Sequence, residues 1–257
     1  MDTDRIVADL HAHTTVSDGT MTVAELAATA ADAGLDCVAV TDHDRVHPDL
    51  DAPVVEREGL LVVRGIELRV DAGFERLDLL GYAVDRTAAL SVRLQPIGLG
   101  VEPRPGLGRP HIARAIEESA APYDYAGAFD ELIGNDGPCY VAREVTGLER
   151  GVELLRDACA FVGLAHPFRY DDVDAALDVA RELDAVERFY PYGRPVDDAR
   201  VERVAAESDL LLTGGSDAHK RTLAEAGLTA EAFEPVRDRL PDPPAKGTGS
   251  LPIDEQD

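Results

Sequence analysis

Residues 5–20 read RIVADLHAHTTVSDGT, and the order of residue types in this stretch decides the architecture. The run RIVADL is short, apolar and β-branched, the composition of a buried strand. It ends in His11, Ala12 and His13, with Ser17, Asp18 and Gly19 close behind. Alternate residues of an extended strand end point to one side, so His11 and His13 form a pair able to chelate. Residues 21–35 then read as a helix. Thr22 and Glu25 have capping-box spacing, Val23, Leu26, Ala27 and Ala30 recur at helical intervals, and Gly34 ends it. A second strand follows at residues 37–41 (CVAVT).

The alternation continues along the chain. Strand patterns fall at residues 60–63 with Ile66 and Leu68, then at 77–83, 160–165, 185–189 and 210–213. Helical patterns at 172–183 and 195–207 separate the last three. Such alternation argues an α/β fold with a mostly parallel sheet, closed or open, whose chemistry gathers at the carboxyl ends of the strands. Those ends carry His43 (VTDHD), Glu67 (RGIEL), His166 (VGLAHP), and Asp217 with His219 (TGGSDAH). One histidine after a strand is ordinarily a hydrogen-bonded structural residue. A His–x–His pair, an Asp–x–His pair, two more histidines and a glutamate at successive strand ends are better explained by a metal cluster. His47, inside the loop DRVHPD, keeps the structural reading.

Residues 87–108 are irregular and Pro/Gly-bearing, and three helical patterns follow at 110–118, 125–133 and 148–158. The expected organisation is therefore a discontinuous barrel domain (1–86 and 159–240), a helical cap insertion (87–158) and a disordered Pro/Gly-rich tail (241–257).

Composition narrows the function classes. The chain has 257 residues with 25 Lys and Arg against 50 Asp and Glu, a formal charge of −25, and 45% hydrophobic residues. Affinity for duplex nucleic acid comes from phosphate neutralisation by Lys and Arg, so this balance opposes it. Only Lys220 and Lys246 are lysines. Few lysines, many arginines and evenly spread acids read as the solvated coat of a protein from a salt-loving host, where a Debye length of about 3 Å screens self-repulsion. No apolar run approaches the roughly 20 residues of a membrane span, and the acidic start is unlike a secretion signal, so a cytoplasmic protein is expected. Cys37, Cys139 and Cys159 are isolated, which argues against disulfides or a cysteine metal site.

The motif set closely resembles the PHP (polymerase and histidinol phosphatase) superfamily of metal-dependent phosphoesterases. DLHAHTTVSDGT (9–20) matches its H-x-H-T-x-x-S-D-G signature, and AVTDHD, GIEL, LAHP and GGSDAH match the later motifs in order. LLGYAVD (79–85) and GRPHIARAI (108–116) resemble the branch acting on nucleoside 3′,5′-bisphosphates and short RNA 5′ ends. Across residues 5–220 the resemblance implies a distorted (β/α)7 barrel with a short helical cap insertion. It also implies three divalent metals, manganese, zinc or iron. His11, His13, Glu67 and Asp217 would hold the first, and Glu67 would bridge to a second that His166 also ligates. Asp18, His43 and His219 would hold the third. The family pattern has a histidine just before its LGY segment, where this chain has Asp78, an oxygen ligand that favours a harder metal. The family's long Arg-rich helix is also shortened here to about twenty residues, which truncates the cap.

The resemblance implies a hydrolase that attacks a nucleotide phosphoester with a metal-activated hydroxide; no P-loop, G-x-S-x-G or credible Cys nucleophile competes. Arg109 and His111 open a helix whose N-terminus favours an anion, and with Arg143 they are the expected phosphate ligands. The expected partner is a small phosphorylated substrate, a nucleotide or short single-stranded RNA. Two alternatives are a histidinol-phosphate-type phosphatase and a nucleotide-binding protein with vestigial activity.

Overall fold

The capping box read in the sequence starts the first helix. The Thr22 side chain accepts from the Glu25 backbone N–H, and Glu25 returns a bond to the Thr22 N–H. The helix, α1 (Val23–Asp32), buries Val23, Leu26, Ala27 and Ala30, the residues at helical spacing. Large apolar side chains fully buried in this way contribute about 1.5–3 kcal/mol each. The computed structural model describes residues 4–85, 109–119, 121–134 and 145–244, to which all statements here refer.

The strands in chain order are β1 (Ile6–Asp9), β2 (Cys37–Val40), β3 (Val54–Arg57), β4 (Leu60–Arg64), β5 (Ile66–Asp71), β6 (Arg76–Tyr82), β7 (Thr146–Gly147), β8 (Phe161–Leu164), β9 (Ala185–Phe189), β10 (Leu211–Gly214) and β11 (Leu228–Thr229). They form a mixed α/β fold with two open sheets, ordered β11-β1-β2-β4-β3 and β10-β9-β8-β6-β5-β7. The distorted (β/α)7 barrel that the resemblance implies is not seen as one closed sheet among the described residues, which form these two sheets. Between them run only single bonds and isolated bridges. The Leu10 N–H donates to the Gly214 carbonyl at 3.0 Å and the Gly65 N–H to the Val40 carbonyl at 2.8 Å. Ala12 bridges Ala218, and His43 bridges Glu67. The ladders stop there because the strand ends turn their side chains inward: Asp44 and Asp217 both take φ of +51°, outside the β region.

Five of the nine strand pairings among the described residues are parallel, as expected, and four are antiparallel. β5 pairs antiparallel with β6, and β6 antiparallel with β8, because the chain reverses tightly between Asp71 and Arg76. β3 and β4 form an antiparallel hairpin. Its two-residue turn, Glu58 and Gly59, has φ of +53° and +92°, the left-handed geometry that suits a right-twisted hairpin.

By its contacts the chain divides into two compact units, Met1–Ser91 with Thr146–Asp257, and Val92–Val145. In the larger unit one apolar cluster joins Val7, Leu10, Val63, Leu80, Tyr82 and Phe161 to Phe233 and Val236. A second joins α1 to Val38, Val40, Leu50 and Val62. In the smaller unit α2 (Arg109–Glu117) packs with α3 (Tyr125–Ala128) and a π-helical turn, Phe129–Ile133, around Ile112, Ala113, Ala128 and Ile133. The helix α4 (Leu148–Ala158), read above within the insertion, buries Gly151, Leu155 and Ala158 against the larger unit's sheet. Three more helices complete that unit: α5 (Val173–Ala180), α6 (Asp198–Ser208) and α7 (Ala230–Arg237). No helix among the described residues is long and apolar enough to cross a membrane.

Candidate metal centre

The ends of β1, β2, β8 and β10, together with β5 and β6, converge, and the residues singled out in the sequence meet there. Three groups have ligand atoms within 4.8 Å of one another: His13, Asp18, His43 and His219; His11, His13 and Asp217; and Glu67, Asp78 and His166. All nine side chains expected to bear metal are thus brought together from segments far apart in sequence, seven from the stretches that follow β1, β2, β8 and β10, and Glu67 and Asp78 from within β5 and β6.

Glu67 sits at the middle. Its Oε2 lies 3.4 Å from His11 Nε2, 3.3 Å from His13 Nε2 and 2.8 Å from His43 Nδ1, and its Oε1 lies 3.1 Å from His166 Nε2. Asp217 Oδ1 reaches His13 Nε2 at 3.1 Å and His11 Nε2 at 3.5 Å. Asp18 reaches His219 Nε2 at 3.2 Å and His43 Nε2 at 3.6 Å.

Whether these residues suit divalent ions is tested by their unpaired atoms. His11 Nε2, both ring nitrogens of His13, and Glu67 Oε2 are buried and, although imidazole or carboxylate atoms lie 2.8–3.9 Å away, none is aligned as a hydrogen bond. A buried polar atom left unpaired costs about 1–3 kcal/mol. Several lone pairs orphaned and pointing at one another are what a bound cation would satisfy. The donor set of imidazole and carboxylate fits zinc, manganese or iron.

The first motif's other residues hold the loop. Asp42 accepts from the Thr14 N–H at 2.8 Å, the Thr14 hydroxyl at 2.8 Å and the Ser17 hydroxyl at 2.6 Å, which fixes the turn that presents Asp18. Asp9 is fully buried and accepts from the Ser216 and Ala224 N–H groups at 3.0 Å each, tying the end of β1 to the segment after β10.

Glu187 was not singled out in the sequence and belongs with the centre. It is fully buried on β9; its Oε1 lies 3.1 Å from His11 Nδ1, and its Oε2 accepts from the His166 N–H at 2.8 Å. A carboxylate on Nδ1 fixes the tautomer that leaves Nε2 facing the cluster and raises its basicity. An acid inside the run AVERF was the available signal, hidden among fifty acids. His166 itself has φ of +27°, a sparsely populated conformation for a non-glycine residue that the Glu187 bond helps to hold.

The electrostatics follow from this packing. Burial opposes a charge on His43, yet Glu67 and Asp18 outweigh it and push its pKa up to about 10. Burial likewise opposes charge on His11 and His219; Glu187, Glu67 and Asp217 raise the first, and Asp18 and Asp217 raise the second. His13 is lowered by burial and by the neighbouring His43. Burial would raise Asp18, Glu67 and Asp217, but the surrounding imidazoles hold all three below the usual carboxylate range. At neutral pH the metal-free cage therefore carries protons on imidazole that a metal must displace. The sign is fixed: metal binding releases protons, and apparent affinity rises with pH up to the raised value of about 10 for His43. Titrating manganese calorimetrically in buffers of different ionisation enthalpy measures that release; a heat independent of buffer contradicts it.

Arg109, expected at a phosphate, donates to the Ile133 carbonyl at 3.3 Å and lies 6.0 Å from the Phe129 ring centroid, both within its own unit. His111 lies on α2, but its side chain is outside the described residues, as are Arg143 and Cys139. Asp78 meets both Glu67 and His166, and also a partner that the sequence did not reveal, Arg69. His47 is buried and accepts from the Asp49 N–H at 3.2 Å, in keeping with a structural role. Burial pushes the Cys37 thiol upward and Cys159 up to about 12, so neither offers a thiolate.

The PHP domain profile matches residues 9–134. A phosphoribosyl 1,2-cyclic phosphate 1,2-diphosphodiesterase from Eggerthella lenta is 30% identical over 247 residues, covering 83% of this chain and 94% of that protein. A 3′,5′-nucleoside bisphosphate phosphatase from Chromobacterium violaceum is 26% identical over 192 residues, covering 63% and 67% of the two chains. Among solved structures, one from Bifidobacterium adolescentis assigned as a metal-dependent phosphoesterase superposes with a TM-score of 0.69. It is 23% identical and covers 91% of this chain and 96% of its own.

Proposed function

The chain belongs to the PHP family of metal-dependent phosphoesterases, and we propose that it hydrolyses a phosphoester on a ribose bearing a second phosphate, foremost a nucleoside 3′,5′-bisphosphate or a short RNA 5′ end. The observation that carries this reading is the convergence of His11, His13, Asp18, His43, Glu67, Asp78, His166, Asp217 and His219 around orphaned, buried lone pairs. These residues would hold up to three divalent ions, with Glu67 central. Ions bound there would lower the pKa of water from 15.7 to about 7 and stabilise charge on the attacking and leaving oxygens.

The chain's own residues do the positioning. Glu187 orients His11 and His166 from behind. Arg169, about half exposed, donates to Asp217 Oδ2 at 3.1 Å and to the Tyr190 hydroxyl at 2.9 Å, and Tyr190 in turn donates to Asp217 at 2.8 Å. A guanidinium with donors to spare beside the cluster suits a phosphate oxygen of the substrate. Within this proposal Arg109, His111 and Arg143 are assigned to the second phosphate. The 30% identity to the cyclic-phosphate diesterase over nearly its whole length favours one second reading, a phosphoribosyl cyclic phosphate as substrate.

The test is product formation by metal-reconstituted protein, read as inorganic phosphate from the monoesters and, by chromatography, as mononucleotide or ring-opened monoester from the diesters, with His11→Ala as the blank. The panel holds a nucleoside 3′,5′-bisphosphate, a 5′-phosphorylated oligoribonucleotide, a phosphoribosyl cyclic phosphate and histidinol phosphate. The bisphosphate or the oligonucleotide is expected to show the highest kcat/KM. Preference for the cyclic ester establishes the second reading, and silence across the panel at any metal defeats both.

A further inference from the structure

We infer that Arg69 is a resident cation of the Glu67–Asp78–His166 group and makes it the weakest and most exchangeable of the three metal positions, so that the protein holds two divalent ions tightly and a third loosely. The inference rests on the metal-centre reading above and concerns what this chain has built around one part of it.

Arg69 and Asp78 stand directly opposite each other on the antiparallel strands β5 and β6. The guanidinium meets the carboxylate as a fork, Nε on Oδ1 and Nη2 on Oδ2, each at 2.7 Å. Both backbones are fixed independently. The Arg69 N–H donates to Asp44 at 2.9 Å, and the Asp78 N–H donates to the buried Tyr170 hydroxyl at 2.9 Å. The pair is therefore a built contact rather than a surface encounter, with the Asp78 side chain only 5% exposed.

The other two groups differ in the respect that matters. Asp217 also meets an arginine, but Arg169 touches Oδ2 alone and leaves Oδ1 facing His11 and His13. The unpaired buried nitrogens of His11 and His13 lie in that part of the centre, while Glu67 Oε2 and His166 Nδ1 are the unpaired buried atoms of the third group. Around Asp78, by contrast, both carboxylate oxygens are already engaged, and His166 Nε2 is paired with Glu67 Oε1 at 3.1 Å. An ion arriving there meets a carboxylate that already accepts one charge-assisted bond on each oxygen and has a fixed positive charge beside it. A histidine proton can leave when metal binds, but the arginine charge cannot be titrated away in the working pH range. The ion must share the carboxylate with the guanidinium or push it aside, and the Arg69 side chain, 37% exposed, has solvent into which to swing. Displacement without unfolding is what exchange requires.

The experiment compares wild type with Arg69→Met, which keeps the aliphatic length and removes charge and fork. Each protein is loaded with manganese, dialysed against metal-free buffer, analysed for bound manganese, then titrated with manganese by electron paramagnetic resonance. Wild type is expected to retain two ions and to bind the third at least about 10-fold more weakly, and Arg69→Met to tighten the third by about 10- to 100-fold with the first two unchanged. If Arg69→Met does not fold, Arg69→Lys, which keeps the charge but breaks the fork, is expected to tighten the third ion by a smaller factor. Three ions retained with equal tightness in wild type, or a third no tighter in the variant that folds, overturns the inference and leaves the metal centre standing. Retention of no manganese by any form defeats the metal-centre reading itself.

Discussion

Glu67→Gln is expected to lower kcat/KM by at least about 10³-fold, close to 4 kcal/mol of transition-state stabilisation, and to strip the protein of bound metal on dialysis. The size follows from position. Glu67 is 1% exposed and its two oxygens face His11, His13, His43 and His166 at 2.8–3.4 Å, so one side chain reaches all three candidate ligand groups. Glutamine keeps the shape but loses the charge, and places an N–H where one of these groups needs a lone pair. The same charge also keeps His43 protonated in the metal-free protein. A histidine raised in the folded state contributes stability that is complete below pH 6.5 and is lost as pH rises through about 10. The metal-free variant should therefore melt below metal-free wild type at pH 7, with the gap closing as pH approaches 10. Glu67→Asp, which keeps the charge at a shorter reach, separates charge from geometry and should retain part of the metal. A glutamine variant that holds its full metal complement and works within about 10-fold of wild type removes Glu67 from the centre.

Much of this site was legible in the sequence because metal chemistry restricts residue types and strand ends restrict direction. His11 and His13 at alternate positions after an apolar run, and Asp217 with His219 after another, announce themselves without any tertiary information. The Thr22–Glu25 capping box is equally local, and it formed. What stayed hidden depended on register or on contrast. Arg69 and Asp78 are nine residues apart, and only the pairing of β5 with β6 sets them face to face. Glu187 differs from dozens of coat acids by burial alone, and in a chain with fifty acidic residues the composition drowned it. β3 was missed for a related reason. Its Glu56 and Arg57 face solvent, so only Val54 and Val55 carry an apolar signal. The ladders are interrupted at the residues that carry the chemistry, since a strand end that turns a ligand inward leaves the ladder.

Gly215→Ala is expected to destabilise the protein by about 3 kcal/mol, roughly 6–12 °C in Tm for a chain of this size, and to abolish tight metal binding as well. A methyl group on Gly215 would lie 2.3 Å from the His11 backbone nitrogen, 2.5 Å from His11 Cβ and 2.8 Å from Asp9 Oδ1. The first two belong to the backbone and Cβ of His11, and Asp9 Oδ1 is held by the Ser216 and His11 N–H groups. Around this point the Leu10 N–H donates to Gly214, the Gly215 N–H to Phe189, and the Ser216 N–H to Asp9, each at 3.0 Å. Neither strand can retreat without breaking bonds that close the seam between the two sheets. The overpacking therefore falls on His11, whose Nδ1 is held at 3.1 Å from Glu187 and whose Nε2 faces Glu67 and Asp217. A displacement of about 1 Å there is enough to cost some 10²-fold in a positioned reaction. Gly147→Ala is the control. A methyl group there meets nothing within 4 Å and costs at most a few tenths to about 1 kcal/mol as a helix cap. Differential scanning calorimetry with and without manganese separates the outcomes. Gly147→Ala should keep the full metal-induced rise in Tm, and Gly215→Ala should lose both the baseline and the rise. A Gly215→Ala protein that melts with wild type and gains the same stabilisation from manganese would mean that the two strand ends do not meet as closely as His11 requires.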